Sequence, residues 1–306
     1  IEGVYRAWKA TDDTPWMKGK LENCLKAVEY ATTDPYRWSE KYRLLKRGYT
    51  SDQWDFQSNF DAALVGGDVM LVTLEDTHFN IFYGDNGRMA QSCHYLAEML
   101  EYVGREEEAD EMRELGDGLK ERIDELSWTG THYLHMVPEE PGALQRDFGV
   151  DTDRQVSLHN ANLLNRGLTH EQCRAVIKTY RRIREEMPES SPGEWYTMYP
   201  PFERGWNAGK WEYMNGAVTG ICAGELARGA FEHGFEDYGV DILRRVRAMA
   251  GQTGNLLDGG YRGAIPQPPD RTFATVSLDD VANTDFRGTA DSGAIGGSVS
   301  EEFMVL

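Results

Sequence analysis

Apolar stripes at helical spacing, arriving in pairs, are what most constrain this chain. Val4, Tyr5 and Trp8 share one face of residues 1–10. Pro15, in the first turn after Asp13 and Thr14, opens a second helix in which Trp16, Leu21, Leu25, Val28 and Ala31 recur at intervals of three to five. That helix is expected to stop before Asp34-Pro35, since the residue ahead of a proline is pushed out of the α region. Asp85-Asn86-Gly87 begins the next helix, with Met89, Cys93, Leu96, Leu100 and Val103 turned inward, and Gly104-Arg105 breaks it. Its partner carries Ala109, Met112, Leu115, Leu119, Ile123 and Leu126. A third pair covers roughly 154–167 and 170–187, with Thr169 and Gln172 forming a capping box for the second member. A fourth covers 215–233 and 235–250, broken at His233-Gly234. Serial helical hairpins predict an all-α architecture, a repeat array or toroid in which each hairpin covers its neighbour's apolar face.

Between the hairpins lie irregular segments at 36–84, 127–153, 188–214 and 252–270. Connections beyond roughly 12–15 residues are uncommon in compact domains and usually functional. These hold Trp38, Trp54, Trp128, Trp195, Trp206 and Trp211 of the chain's 8 tryptophans. Aromatic loops converging on a helical frame describe a binding cleft. Residues 1–270 are therefore expected to form one helical-hairpin domain carrying that cleft. Beyond them, Thr272 to Leu278 alternates like a strand and the remainder is rich in Gly, Ser and Asp. Residues 271–306 are expected to be a linker or the beginning of a β-domain.

Charge and cysteine usage exclude several classes of function. A net charge of −19 repels phosphates, so no nucleic-acid partner is expected. The densest basic run, Tyr180-Arg181-Arg182-Ile183-Arg184, is followed at once by Glu185 and Glu186 and reads as a solvated helix face. No apolar run approaches the roughly 20 residues of a membrane helix, so no membrane partner is expected either. The four cysteines, Cys24, Cys93, Cys173 and Cys222, lie far apart and read as small buried core residues. Cys93-His94 lacks a second pair at ligand spacing, and Asp151 with Asp153 has the spacing of a solvated turn, so neither metal nor cofactor is expected.

Cleaving a glycosidic bond takes one carboxylic acid to protonate the leaving oxygen and a second carboxylate as base or nucleophile, with aromatic platforms for the sugar rings. Three candidates lie in aromatic, loop-borne settings. Asp55, near Asp52, is flanked by Trp54 and Phe56, an apolar setting that favours the protonated acid, although a turn aspartate beside core aromatics has the same pattern. Glu212 sits in Trp211-Glu212-Tyr213-Met214-Asn215-Gly216, where a carboxylate facing a helix dipole is the alternative. Asp258 precedes Gly259-Gly260-Tyr261 and is equally consistent with a hairpin turn.

The segment Gln53-Trp54-Asp55-Phe56-Gln57-Ser58-Asn59-Phe60 resembles the trehalase Gly-Trp-Asp-Phe-Ser-Ser-Arg-Phe/Trp segment. Lys210-Trp211-Glu212-Tyr213-Met214-Asn215-Gly216 is similar to the trehalase Gln-Trp-Asp-x-Pro-Asn-Gly-Trp segment, with Glu212 in place of its Asp and without its proline and last tryptophan. In this order the segments resemble the six-hairpin (α/α)6 glycoside hydrolases, nearest the trehalase and processing α-glucosidase group. The resemblance implies an inverting, exo-acting hydrolase with a carbohydrate substrate and Asp55 as general acid. Its base falls on Asp258, where the group has Glu, or on the rival Glu212. Trp54, Trp206, Trp211 and Tyr213 would stack on sugar; Arg47, Asp52, Tyr83, Asp85, Asn86 and Asn215 would complete the substrate-binding set. A toroid of this kind has twelve helices; fewer are legible here, so the chain, which opens on Ile1, is expected to be part of a longer protein. Two alternatives stay open. One is an inverting sugar phosphorylase using His159, Arg166 and Arg204; the other is a non-catalytic carbohydrate-binding repeat protein.

Overall fold

The computed structural model describes residues 1–48, 79–140, 148–189, 191–204, 210–211, 215–218 and 220–253. By internal contacts the chain divides into two bodies. The first comprises Ile1–Tyr49, Val72–Trp128 and Met136–Leu144; the second comprises Thr50–Leu71, Thr129–His135 and Gln145–Leu306. The expected boundary at 270/271 lies outside the described residues.

The first body opens with α1 (Glu2–Thr11), α2 (Thr14–Lys18) and α3 (Leu21–Thr33). The single helix expected from Pro15 is thus two. Asp13 caps the first, its carboxylate accepting from the Trp16 N–H at 3.0 Å, and the Gly19 N–H closes it on the Met17 and Pro15 carbonyls. The chain then restarts at Leu21, and the buried stripe is Leu21, Cys24 and Val28, while Trp16 stays 40% exposed. The long hairpin is α4 (Tyr83–Tyr102) with α5 (Glu106–Ser127). Its helices approach closely at Gly116, where a Cβ would stand 3.0 Å from the Ala90 carbonyl oxygen and 3.2 Å from Cys93 Cβ. Cys93, Leu96, Met99 and Leu100 meet Ala109, Leu119 and Ile123 in this core. Burying a Leu- or Ile-sized side chain is worth roughly 1.5–3 kcal/mol, so this seam is a main stabilising term of the first body.

The irregular segment expected at 36–84 contains strands. β1 (Trp38–Ser39), β2 (Leu44–Gly48), β3 (Phe79–Phe82) and β4 (Met136–Pro138) form an antiparallel sheet in the order β1-β2-β3-β4. All-α is therefore an incomplete description: the described residues are mostly helical with a small sheet in the helical body.

In the second body the helix expected at 154–167 is replaced by a 3₁₀ turn (Thr152–Arg154), β5 (Val156–Ser157) and the short α6 (His159–Asn162). β5 pairs with β6 (Met198–Tyr199), Val156 opposite Tyr199. Residues 155–164 are buried on all sides, so the amphipathic rhythm that marks a surface helix is absent. The next helix, α7 (His170–Glu186), begins at the predicted capping box, with both Thr169–Gln172 bonds present. α8 (Gly220–Glu232) and α9 (Glu236–Thr253) are the last described helices of the body. α8 packs with Cys222, Ala223, Leu226, Ala227 and Ala230 buried, whereas α7 buries one stripe of Cys173, Val176, Ile177, Tyr180 and Ile183. All four cysteines are buried thiols, and burial pushes the Cys93 thiol up to about 12.

Two histidines of this body titrate low. Burial lowers the pKa of His132, whose Nδ1 lies 3.0 Å from Thr131 Oγ1. Burial also lowers that of His233, with His170, 2.8 Å away between Nδ1 atoms, and Arg174 acting in the same direction. Both rings bind protons less readily folded than unfolded. Their contribution to stability is complete above the ordinary histidine pKa of about 6.5 and is lost as pH falls below it. Thermal melts between about pH 7 and 5 should therefore show a shallower loss of stability in His132→Asn than in the parent chain. Parallel curves would contradict the assignment for His132.

Candidate active site

The site expectations that fall on described residues lie at two places, one in each body. In the first, β2 and β3 pair with Gly48 opposite Phe79, so the ends flanking residues 49–78 lie side by side on one ladder. Asp52, Trp54 and Asp55 belong to that stretch and lie outside the described residues. Four other predicted residues gather at the ladder and the start of α4. Arg47 Nε stands 2.9 Å from Asp85 Oδ2, with the guanidinium 5.1 Å over the Phe82 ring. Both side chains are partly exposed, at 13% and 30%. Tyr83 is buried, and so is Asn86, whose amide is engaged by backbone. Asn86 Oδ1 accepts from the Leu45 N–H at 2.7 Å, and its Nδ2 donates to the Leu45 carbonyl at 3.0 Å and the Phe82 carbonyl at 2.9 Å.

The same device recurs twice in the second body. Asn160 accepts from the Tyr133 N–H at 2.8 Å and donates to the Tyr133 carbonyl at 3.1 Å. Asn215 accepts from the Phe202 N–H at 2.7 Å and donates to the Phe202 carbonyl at 3.1 Å. Each amide matches the N–H and C=O of one residue, as a strand neighbour would: Asn86, in the first turn of α4, holds β2 at Leu45, while Asn160 and Asn215 hold the irregular segments at Tyr133 and Phe202. In this structure the Asn86 and Asn215 amides hold backbone rather than face solvent. Replacing Asn160 by Ala strands a buried N–H and C=O and should cost about 1–3 kcal/mol of stability in urea unfolding. An unchanged midpoint would mean that the clamp is not structural.

At the second place, the Trp211 N–H donates to the Asn215 carbonyl at 2.8 Å. That bond joins the residues flanking Glu212 and Tyr213, which with Trp206 and Asp258 lie outside the described residues. Trp211 is half-buried at a left-handed φ of 70°. Gly216 follows at φ 92°, where a Cβ would meet Pro201 Cβ at 2.7 Å, so glycine is required there. The Trp211 ring centroid lies 5.6 Å from that of Tyr196 and 6.2 Å from that of Tyr199, and the two tyrosines stack at 5.1 Å. Burial raises the pKa of both phenols, keeping them neutral. Sequence reasoning missed Tyr196 and Tyr199; the aromatic-then-proline run Tyr199-Pro200-Pro201 was the available signal. Conversely Trp195, counted among the loop aromatics, is fully buried with Arg245 4.5 Å over its ring, and serves the core.

Of the phosphorylase set, His159 is buried in α6, Arg166 is buried in an ion pair with Glu225 at 2.7 Å, and Arg204 is exposed. Among the described residues no group of His, Cys, Asp and Glu could hold a metal ion, and no helix is long and apolar enough to cross a membrane.

No protein-family model matches the chain, and no curated protein sequence matches it. Among solved structures, an uncharacterized conserved protein of Thermus thermophilus is similar over 98% of this chain and 76% of its own, at 13% identity and a TM-score of 0.59. A GH63 mannosylglycerate hydrolase of the same organism, in complex with Tris, matches 74% of this chain at 13% identity and a TM-score of 0.45. A bacterial glucoamylase complexed with acarbose matches 62% at 15% identity and a TM-score of 0.45. The chain spans 46% of that hydrolase and 30% of that glucoamylase. At such identities a likeness concerns fold and not activity. The chain shares its fold with the uncharacterized Thermus protein, and the two looser matches decide nothing further.

Proposed function

We propose that this chain is part of the catalytic region of an inverting, exo-acting glycoside hydrolase on an (α/α)6-type toroid, with Asp55 as general acid and Asp258 or Glu212 as base. The observation that carries this reading is the ladder at Gly48 and Phe79, which brings together the two ends flanking the Asp55 stretch beside the Arg47–Asp85 pair. An acid must be held in place to protonate a leaving oxygen, and a segment whose two ends are fixed has less freedom to lose on binding than a free one. Arg47 and Asp85, partly exposed donor and acceptor, suit sugar hydroxyls. Asn86 and Asn215 contribute by holding backbone of the site in place, Tyr83 as part of the substrate-binding set, and Trp211 with Tyr213, Trp54 and Trp206 by stacking on sugar. Asp52 would share hydroxyl binding with Arg47.

The test is a screen of aryl glycosides and oligosaccharides with the full-length protein. Release of monosaccharide from chain ends, independent of phosphate, is the expected result. Turnover that requires inorganic phosphate would favour the phosphorylase, and binding without turnover would favour a non-catalytic protein.

A further inference from the structure

A pocket of about 350 Å³ opens in the second body, where the loop at 150–156, the C-terminal end of α7 and the Tyr199-Pro200 corner meet. This volume falls within the roughly 300–1,000 Å³ of small-molecule sites. Its apolar part is Val156, Ile183 and the Tyr199 ring. Around these stand two carboxylates, Asp151 and Glu186, and two guanidinium groups, Arg154 and Arg182. The carboxylates accept hydrogen bonds and the guanidinium groups donate them. Little of this capacity is used internally. Arg154 makes no ion pair among the described residues, and Arg182 lies 3.9 Å from Glu186 on a side chain that is 54% exposed.

We propose that this pocket binds a neutral, hydroxyl-rich ligand of mono- to disaccharide size. Each hydroxyl both donates and accepts, so a rim carrying both carboxylates and guanidinium groups satisfies it, while an apolar wall with a tyrosine ring takes the C–H face of a pyranose. Two acids against two bases leave no net charge to select an anion, and His132, also in the lining, is kept neutral by burial. The Arg182 run, read from sequence as a solvated helix face, thereby gains a ligand-directed role. Choosing saccharides among polyols rests on the proposed function; the pocket itself does not.

Calorimetric titration of the full-length protein in an Asp55→Asn background, with glucose, mannose, maltose, cellobiose, trehalose and sodium sulfate, tests the inference. At least one of the sugars should bind with an equivalent that is lost, or weakened at least tenfold, in Arg154→Ala/Arg182→Ala. Both arginines are exposed enough to be removed without unpairing a buried charge, and circular dichroism checks the fold. Sugar binding that ignores the double substitution, no sugar binding at all, or arginine-dependent binding of sulfate alone would overturn it. Turnover of aryl glycosides by the unsubstituted protein reports on the proposed function separately, so either idea can fail while the other stands.

Discussion

Asp55→Asn is expected to lower kcat on an unactivated glycoside by about 10²–10⁴-fold while leaving sugar affinity nearly unchanged, the usual worth of a positioned general acid. The size of the loss should depend on the leaving group. A dinitrophenolate departs without protonation, so its glycoside should lose much less than an alkyl glycoside or an oligosaccharide. A substitution that merely disturbed the loop would penalise all substrates alike, because positioning is needed whatever departs. The comparison therefore separates chemistry from architecture at a residue whose flanking ladder, from Gly48 to Phe79, is well defined. Equal losses across leaving groups would remove Asp55 from the acid role.

Arg245→Met is expected to destabilise the chain by about 3–5 kcal/mol, the cost of breaking a buried ion pair from one side. Glu194 is fully buried, and Arg245 meets it with two nitrogens, at 2.6 Å and 2.9 Å, while lying over Trp195. The remaining partner, the Tyr238 hydroxyl at 2.5 Å, cannot neutralise a carboxylate. Adding Glu194→Gln to the variant removes the stranded charge and should restore a large part of the loss. Urea unfolding of the single and double variants measures this coupling. A single-variant loss below about 1 kcal/mol would place the pair with ordinary surface bridges instead.

How much is legible follows from where each signal sits in the chain. α5, α7 and α9 can be read to within a few residues because each presents one apolar stripe to one core, and Thr169 with Gln172 marks a true start. α6 escapes such a reading because Leu158, Ala161, Leu163 and Leu164 are enclosed on every side, which erases the 3.6-residue period. The strands escape it too: β1 and β6 are two residues long, and β6 is made by a partner, β5, distant in sequence. Around the site, Asn86 and Asn215 stand out in the sequence for a reason the structure alters. An amide that can grip a sugar hydroxyl can equally grip a peptide, and only burial separates the two. Trp195 and Trp211 show the same limit: both are loop tryptophans in sequence, yet one fills a core while the other lies half-buried beside two tyrosines.

The central claim is hydrolysis of a glycosidic bond with inversion. Inversion requires room for a water between acid and base, which are then roughly 6.5–9.5 Å apart. Proton NMR of the first-formed sugar reads this outcome before mutarotation intervenes. Incubation of the full-length protein with an anomerically pure substrate should give an initial product of the opposite configuration, phosphate or no phosphate. A first-formed anomer of the same configuration would contradict the inverting mechanism, and no released sugar from any glycoside would contradict the hydrolase reading itself.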